Sequence, residues 1–188
     1  MEANVQHSMF SPSPVQLPDN SELLVRPVCS DDSMEELTEL LHRAYKRLAD
    51  EGFRFVATYQ SVDETLRRIS NARCWVGIRN GQLVATLSLY EPFSGTCEWY
   101  TKQDVWHFGQ FAVEPALQGQ GIGLLLLDCA EKTARAHGAC ELALDTSEGA
   151  SHLVSFYKRH GYRFVQYVQW DVTNYRSVVL SKKLHDEE

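Results

Sequence analysis

A glycine-rich turn between a strand and a helix constrains this chain more than any other feature. The segment reads Phe111-Ala-Val-Glu-Pro-Ala-Leu-Gln-Gly-Gln-Gly-Ile-Gly-Leu124. The pattern predicts a strand over about 104–114 that stops at Pro115, and a helix over about 121–137 that ends at Gly138. Glycines let the backbone approach a ligand, and the helix N-terminus adds unpaired N–H donors and a positive dipole end. The turn is therefore predicted to bind a phosphate or pyrophosphate without a lysine.

Two other glycine-rich phosphate motifs fit this segment poorly. A Rossmann fingerprint requires a third glycine where Leu124 follows Gly119 and Gly121. A Walker A loop requires lysine and then serine or threonine, whereas Gly123 is followed directly by Leu124. These mismatches argue against a different nucleotide-binding enzyme that takes NAD or ATP. The remaining structural alternative is a plain strand–turn–helix corner that uses glycine for tight packing.

The rest of the chain alternates between helix and strand periodicity. Ser33 with Glu36, and Ser61 with Glu64, form two capping boxes that predict helix starts. Alternating apolar residues on both sides of 80–81, an Asn-Gly pair, predict a β-hairpin. Further strands are predicted at 21–28, 140–144, 162–169 and 175–184, with a helix that ends near residue 159. This order predicts an α/β fold with a mixed, mostly antiparallel central sheet flanked by helices and one parallel crossover at its centre.

Length and charge limit the class of protein. A chain of 188 residues has room for one domain with a hydrophobic core. Residues 1–20 are polar and proline-containing, which predicts a flexible N-terminal arm before a single domain over 21–188. There are 18 Lys+Arg against 25 Asp+Glu, a formal net charge of −7. No nucleic-acid partner is expected, because such proteins usually present a basic face.

Apolar runs and cysteines exclude further classes. No run approaches the roughly 18 apolar residues of a membrane span, and residues 1–20 lack the pattern of a signal peptide. We therefore expect a cytoplasmic protein without a membrane partner. The five cysteines show no C-x-x-C spacing, so neither a disulfide framework nor a metal site is predicted. Cys129 and Cys140 lie among apolar residues and are expected in the core.

Three motifs in succession resemble one known family. Gln118, Gly121 and Gly123 form a Q-x-x-G-x-G pattern directly after a strand that ends at Pro115. The sequence S-F-Y-K-R-H-G-Y follows at 155–162. Together these segments resemble the acyl-CoA pyrophosphate loop and the tyrosine-bearing helix of the GCN5-related N-acetyltransferases, the GNAT family. The similarity is specific over about 104–164, and the element order matches nearly the whole chain except the arm.

The resemblance implies a GNAT-fold, acetyl-CoA-dependent N-acetyltransferase that acts by direct transfer to a primary amine. It implies that the backbone of Phe111 and Val113 pairs with pantetheine, that the Val113 N–H lies near the thioester oxygen, and that Tyr157 protonates the departing thiolate. Ser151 or Ser147 would replace an asparagine that many members carry where Ala150 stands here. The residues assigned to acetyl-CoA are Phe111, Ala112, Val113, Gln118, Gly119, Gln120, Gly121, Ile122, Gly123, Leu124, Ser151 and Tyr157.

The chemistry also needs a proton acceptor, because an alkyl ammonium with a pKa of about 10.4 is almost fully protonated at neutral pH. His107 falls where some histone-acetylating members of the family carry a glutamate base, and an ordinary imidazole is largely neutral near physiological pH. Glu114 is the second candidate for this catalytic role. Alternatively, Tyr157 is a core aromatic and His107 a structural histidine. Other carboxylates that can accept the proton or attract an ammonium are Glu91, Glu98 and Asp104.

Aromatic residues mark the acceptor side, which the resemblance locates around the first two helices, the loop before the central strand and the last hairpin. With the nearby carboxylates they predict a pocket for a cation or a flat amphipathic amine, although several of them can instead complete the core. They are Phe53, Phe55, Tyr59, Phe93, Trp99, Tyr100, Trp106, Tyr167 and Trp170.

Three further questions stay open at the level of sequence. Lys158 and Arg159 can contact the nucleotide phosphates of CoA or form a solvated helix face. Ala150 and the unassigned base motivate an alternative function, a non-catalytic acyl-CoA-binding sensor. A homodimer is expected from general frequency alone.

Overall fold

The computed structural model describes residues 14–17 and 19–185, and in this part of the chain eight strands form one sheet, accompanied by four α-helices. The strands are β1 (Val15–Gln16), β2 (Glu22–Pro27), β3 (Arg73–Arg79), β4 (Gln82–Tyr90), β5 (Val105–Val113), β6 (Glu141–Ser147), β7 (Arg163–Gln169) and β8 (Arg176–Lys183). The helices are α1 (Met34–Asp50), α2 (Val62–Ser70), α3 (Ile122–Ala136) and α4 (Ser151–Arg159). No helix in this part is long and apolar enough to cross a membrane.

The sheet is antiparallel except at its centre. Its spatial order is β1-β2-β3-β4-β5-β6-β8-β7. Only β5 and β6 pair in parallel among the described strands. A parallel pair needs a crossover connection, and α3 supplies it between these two strands. The predicted fold class is therefore confirmed.

Local sequence signals begin and end these elements as expected. The Ser33 Oγ accepts a hydrogen bond from the Glu36 N–H at 3.1 Å, and α1 starts directly after Ser33, at Met34. The backbone of Asn80 and Gly81 has φ values of +51° and +75°. Both central residues of a type I′ hairpin turn need such positive values, so this pair sets the register of β3 against β4.

The helices cover opposite faces of the sheet. Leu37 and Leu41 of α1 belong to one buried cluster with Val76 of β3. The neighbouring Trp75 belongs instead to the cluster that contains Leu126 of α3. Adjacent residues of a strand point to opposite faces, so α1 and α3 sandwich the sheet.

The last part of the segment that was expected to be a flexible arm is ordered as part of the sheet. Residues 1–13 and residue 18 lie outside the described residues. Val15 and Gln16, however, pair antiparallel with Leu23 and Glu22. Leu17 is buried, at 4% exposure. The end of this segment therefore belongs to the sheet, because Leu17 finds apolar surface to cover.

The two cysteines predicted in the core differ from one another. Cys129 is buried on α3, as expected, but Cys140 is exposed. Its backbone is tied into the sheet, where its N–H donates to the Asp104 carbonyl and its carbonyl accepts from the Leu184 N–H, both at 2.8 Å. Those bonds hold the main chain while the thiol faces outward, so apolar neighbours in sequence did not indicate burial here.

A bulge and a divergence open the centre of the sheet. Pairing jumps from Ser88–Gly109 to Thr86–Ala112, and the extra residue Gln110 has φ +46°. The bulge thus lies directly after Gly109, and a glycine inside a strand often marks such an irregularity. On the other side, β5 and β6 pair only from 105–107 to 141–143, although both strands continue. Their unpaired ends line a deep cavity.

Candidate functional site

The cavity has a volume of about 1820 Å³ and is built from several separate elements. The unpaired ends of β5 and β6 form its floor, and α1, α2, α4, the start of α3 and the end of β4 surround it. Parallel strands that separate leave their facing N–H and C=O groups without a partner strand, so a ligand with amide groups can take that place.

The glycine turn lies at one end of this cavity. Gly119 and Gly121 have φ values of +81° and +86°, which glycine adopts without strain. The N–H groups of residues 119–121 make no backbone hydrogen bond within the described chain. A Cβ at Gly123 would lie 3.1 Å from the Phe111 ring, so glycine also permits α3 to pack closely on β5. The predicted residues of this turn that line the cavity are Gln118, Gly119, Gly121, Ile122, Gly123 and Leu124. The predicted Gln120 does not line it, and its buried Oε1 has no partner.

The backbone of β5 presents hydrogen-bonding groups towards the cavity. The Glu114 N–H donates to the Val84 carbonyl of β4 at 2.8 Å, so the alternation along a strand directs the Val113 N–H away from β4. The Val113 carbonyl accepts from the Gln118 side chain at 3.2 Å, and the Phe111 carbonyl accepts from the Tyr45 hydroxyl at 3.2 Å. Phe111, Ala112 and Val113 all line the cavity, as the sequence predicts for this strand.

Tyr157 projects into the cavity from α4. Its side chain is 8% exposed and lies against the rings of Phe108 and Tyr162. Its hydroxyl makes no hydrogen bond with any described residue. Burial, with the nearby Tyr45 and Asp145, raises the pKa of Tyr157 well above its ordinary value. The phenol therefore keeps its proton and can donate it.

His107 lies in a stack of aromatic rings on β5. Its ring centroid is 4.2 Å from that of Tyr100 and 5.1 Å from that of Tyr90, and both pairs are nearly parallel. Its Nδ1 is buried without a hydrogen-bond partner. Burial lowers the pKa of His107 to about 3, with the charge of Arg68 as a second cause. The imidazole is therefore neutral at physiological pH.

Two predicted site residues are not brought to this cavity. The Glu114 carboxylate accepts from Arg43 of α1 at 3.0 Å and does not line the cavity. Ser151 is exposed at the first turn of α4 and does not line it either. The preceding Ala150 is buried and gives the helix no side-chain cap. Of the two base candidates, His107 thus lines the cavity and Glu114 does not, and Ser151 does not reach it as a substitute for the asparagine.

Several polar residues of the cavity were not predicted, and three of them bear on its chemistry. Asp145 follows the apolar run of β6, and its carboxylate accepts from the Tyr100 hydroxyl at 3.1 Å and from the Trp170 indole N–H at 2.9 Å. Arg68 of α2 and Tyr45 of α1 also line the cavity. A charge directly after an apolar run is the one local signal that marks Asp145, whereas Arg68 has no such signal.

The acceptor-side aromatics divide into two groups. Those that line the cavity are Phe55, Tyr59, Phe93, Tyr100 and Trp170, and those that do not are Phe53, Trp99, Trp106 and Tyr167. Among the carboxylates suggested beside them, Glu91 lines the cavity whereas Glu98 and Asp104 do not. Arg159 lines it and Lys158 does not. Residues 14–17 and 19–185 contain no cluster of three or more His, Cys, Asp or Glu side chains that could hold a metal ion.

A sheet that diverges after one parallel pairing, with a glycine turn leading into a helix at the opening, is the architecture of the acyl-CoA N-acyltransferases. The family model described as "Acetyltransferase (GNAT) family" matches residues 34–162. The chain therefore belongs to the GNAT family and is an acyltransferase, in a family that uses acetyl-CoA.

One relative and two solved structures illustrate the similarity. The S-(2-succino)cysteine N-acetyltransferase of Bacillus subtilis (strain 168) is 32% identical over 130 residues, which cover 68% of this chain and 77% of the relative. The GNAT domain of S. lividans PAT has a TM-score of 0.68 at 21% identity and covers 92% of this chain and 96% of its own. A GNAT family acetyltransferase from Elizabethkingia anophelis with acetyl-CoA bound has a TM-score of 0.59 at 15% identity, covering 86% and 97%.

Proposed function

We propose that this chain transfers the acetyl group of acetyl-CoA directly to a primary amine on a small-molecule acceptor. The observation that carries the proposal is that the glycine turn, the free edge of β5 and the unpartnered Tyr157 hydroxyl all face one cavity. Each of these groups matches a different part of the donor or a different stage of the reaction.

The donor side rests on backbone groups. The free N–H groups of residues 119–121 and the N-terminus of α3 suit a pyrophosphate, because they supply donors and a positive dipole end. The outward N–H of Val113 suits a carbonyl oxygen of pantetheine, and the Phe111 and Val113 carbonyls can each accept one more hydrogen bond beside those from Tyr45 and Gln118. Bound acetyl-CoA in the Elizabethkingia anophelis neighbour supports the same donor here.

The reaction would proceed by attack of the neutral amine on the thioester carbonyl. The new C–N bond forms as the C=O bond becomes an oxyanion, which the Val113 N–H would stabilise. The C–S bond then breaks, the Tyr157 hydroxyl would donate its proton to the departing thiolate, and the proton that the attacking nitrogen loses would restore the Tyr157 hydroxyl. A buried phenol suits this role because it is protonated at neutral pH.

The proton of the acceptor ammonium needs a separate path. His107 is neutral, but a pKa of about 3 makes its imidazole a weak proton acceptor in the cavity. Asp145 offers a carboxylate held by Tyr100 and Trp170 in the same cavity. We propose that Asp145 attracts the ammonium, that the ammonium releases its proton to solvent water at the cavity before the neutral amine attacks, and that His107 hydrogen-bonds the acceptor. The acidic base candidate Glu114 is instead paired with Arg43.

The acceptor is proposed to be small because aromatic side chains of α1, of the segment between α1 and α2, and of the last hairpin line the cavity. The Bacillus subtilis relative, named for acetylation of S-(2-succino)cysteine, supports an amino-acid-like acceptor. A cytoplasmic location and a homodimer stay predictions.

The test is the release of CoA thiol from acetyl-CoA across amines, amino acids, S-substituted cysteines, peptides and aminoglycosides. We expect release with one class of amine. Tyr157→Phe should lower kcat by about 10²- to 10⁴-fold, since it removes the proton donor, and should leave the Kd for acetyl-CoA within about threefold. Tyr167→Phe is the matched control, because Tyr167 is exposed outside the cavity.

Two results would contradict this function. Binding of acetyl-CoA without thiol release from any acceptor would favour the sensor, which has no rate for Tyr157→Phe to lower. A chain that does not bind acetyl-CoA would contradict the donor itself.

A further inference from the structure

Arg68 carries a positive charge into the cavity without a counterion. Its guanidinium donates one hydrogen bond, to the Gln60 Oε1 at 2.9 Å. It makes no ion pair with any carboxylate in the described ranges, whereas the adjacent Arg67 is paired with Glu64 at 2.6 Å. A partly buried cation without a partner is unfavourable, so the site suits an anion from outside the chain.

Buried amides hold this guanidinium in position. Gln60 is 3% exposed, and its Nε2 donates to the Gln110 Oε1 at 2.8 Å and to the Thr65 Oγ1 at 2.6 Å. Gln110 in turn donates to the Ser88 Oγ at 3.1 Å. Because Gln110 is the bulged residue of β5, the same irregularity that bends the strand also anchors Arg68. The cation therefore belongs to a built site rather than to a mobile surface chain.

Two further polar groups beside Arg68 also lack partners. The Tyr90 hydroxyl and the His107 Nδ1 are both buried without a hydrogen bond, and their rings stack on each other. A Cβ built on Gly109 would lie 3.6 Å from the Arg68 Nη2 and 3.6 Å from the Tyr90 ring. The cation and the tyrosine therefore flank one backbone position of β5.

We propose that Arg68, with the Tyr90 hydroxyl, binds a carboxylate of the acceptor, so that the acceptor is an amine that also bears a carboxylate, such as an α-amino acid. This inference rests on the proposed N-acetyltransferase function and narrows its substrate class. A planar guanidinium with one neutral hydroxyl matches a single carboxylate better than a dianionic phosphate. The charges of the cavity match such an acceptor, because Asp145 also lines the cavity and can attract the amine while Arg68 binds the carboxylate.

The position of Arg68 also separates it from the proposed nucleotide site. Gly109 lies four residues before Val113 on β5, and the glycine turn lies beyond Val113. Arg68 is thus on the opposite side of the proposed thioester position from the pyrophosphate loop. A polycation such as a polyamine would instead meet the unpaired charge of Arg68.

The experiment compares acceptors in pairs. Each α-amino acid, including S-methylcysteine and S-carboxymethylcysteine, is assayed beside its own carboxamide, with spermidine as a polycation. We expect kcat/KM for the acids to exceed that for the amides by about ten- to a hundredfold, the worth of one charge-assisted contact. Arg68→Gln should bring this ratio towards one, mainly by raising KM for the acid, without weakening acetyl-CoA binding.

Two further variants protect the test against a folding defect. Tyr90→Phe keeps the ring stack on His107 and should lower kcat/KM for the acid by about threefold to tenfold more than kcat/KM for the amide. Arg68→Lys keeps the charge but loses the planar fork, so its ratio should lie between wild type and Arg68→Gln. Arg47→Gln, on the exposed end of α1, is the control for loss of an arginine.

The outcomes separate the two proposals. Amides or spermidine acetylated as well as acids, or an acid-to-amide ratio unchanged in Arg68→Gln, would overturn the carboxylate site while leaving the acetyltransferase intact. A weaker acetyl-CoA affinity in Arg68→Gln, without a change in that ratio, would assign Arg68 to the donor instead. Absence of thiol release from every amine would contradict the proposed function. In that case, calorimetric titration of the amino acids into the protein with CoA present would test Arg68 independently of turnover. Absence of amino-acid binding would overturn the proposed role of Arg68 as well.

Discussion

At the scale of single residues, burial decides the protonation state of the two candidate catalytic rings. Tyr157 keeps its proton and His107 loses it, because each charged form would give up hydration that the cavity does not replace. The two residues therefore suit different tasks: a proton donor on one side, and on the other a neutral group that hydrogen-bonds the acceptor. Nearby charged groups shift the pKa values of Tyr157 and His107 less than burial does.

The depressed pKa of His107 predicts that acid destabilises the fold. In the unfolded chain its pKa is about 6.5, and in the folded chain about 3, so the unfolded state binds more protons between these values. The contribution of the buried, neutral His107 to the free energy of unfolding is complete above about pH 6.5. It is lost as the pH falls below that value. Between pH 7 and pH 5, wild type should lose about 2 kcal/mol more unfolding free energy than His107→Phe, at about 1.36 kcal/mol per pH unit.

Urea denaturation at the two pH values measures this difference. His185→Gln is the control for loss of a histidine, because the His185 side chain is exposed. An identical pH dependence in wild type and His107→Phe would show that His107 is not held neutral by burial.

At the scale of elements, α3 has a left-handed glycine at each end. Gly121 precedes it with φ +86°, and Gly138 follows it with φ +87°. A Cβ at either position would have no heavy atom within 4 Å, so the two sites share the same backbone strain and the same open space. They differ in position, since only Gly121 lies at the cavity.

This pair separates folding from ligand binding. Gly121→Ala and Gly138→Ala should each cost about 1 kcal/mol of stability, because alanine is strained at positive φ. Only Gly121→Ala should also raise the Kd for acetyl-CoA, since it disturbs the free N–H groups of the proposed pyrophosphate site. Chemical denaturation and calorimetric titration of both variants measure the two effects. Equal acetyl-CoA affinity in both variants would argue that the turn is only a packing corner.

At the scale of the whole molecule, the cavity exists because the sheet diverges while two cores hold its faces. One buried cluster joins α3 to one face, and another joins α1 to the other face. The unpaired ends of β5 and β6 are therefore kept apart by packing on both sides rather than by any contact between them. A ligand inserted there would bridge elements that are distant in sequence.

Acetyl-CoA is therefore expected to stabilise the fold. A concentration of about 100 times its Kd should add about 2.7 kcal/mol and raise the Tm by roughly 5–10 °C. Amide hydrogen exchange should slow at Val113 and at residues 119–121, whose N–H groups have no partner in the described sheet or turn. ATP and NAD at equal concentrations are the controls. Stabilisation by either of them in preference to acetyl-CoA would restore the alternative of a different nucleotide-binding enzyme.

The sequence by itself determined the features that depend on neighbouring residues. Ser33 and Ser61 cap their helices as predicted, and the Asn80–Gly81 turn forms the hairpin. The glycine turn lies between a strand and a helix, with its positive φ values at the glycines. Capping, turn formation and strand alternation act within a few residues, so their physical causes can be read along the chain. The family motifs are readable for the same reason.

Only the tertiary structure decided which side chains share the cavity. Glu114 is held by Arg43, 71 positions away, and so leaves the site in which it was expected. Arg68 and Asp145 reach the cavity from α2 and β6, and no local pattern connects them. The bulge at Gln110 sets which residues of β5 face inward, and it depends on pairing with β4. Burial and partnership of charges are properties of the packed molecule, because they depend on contacts between segments far apart in sequence.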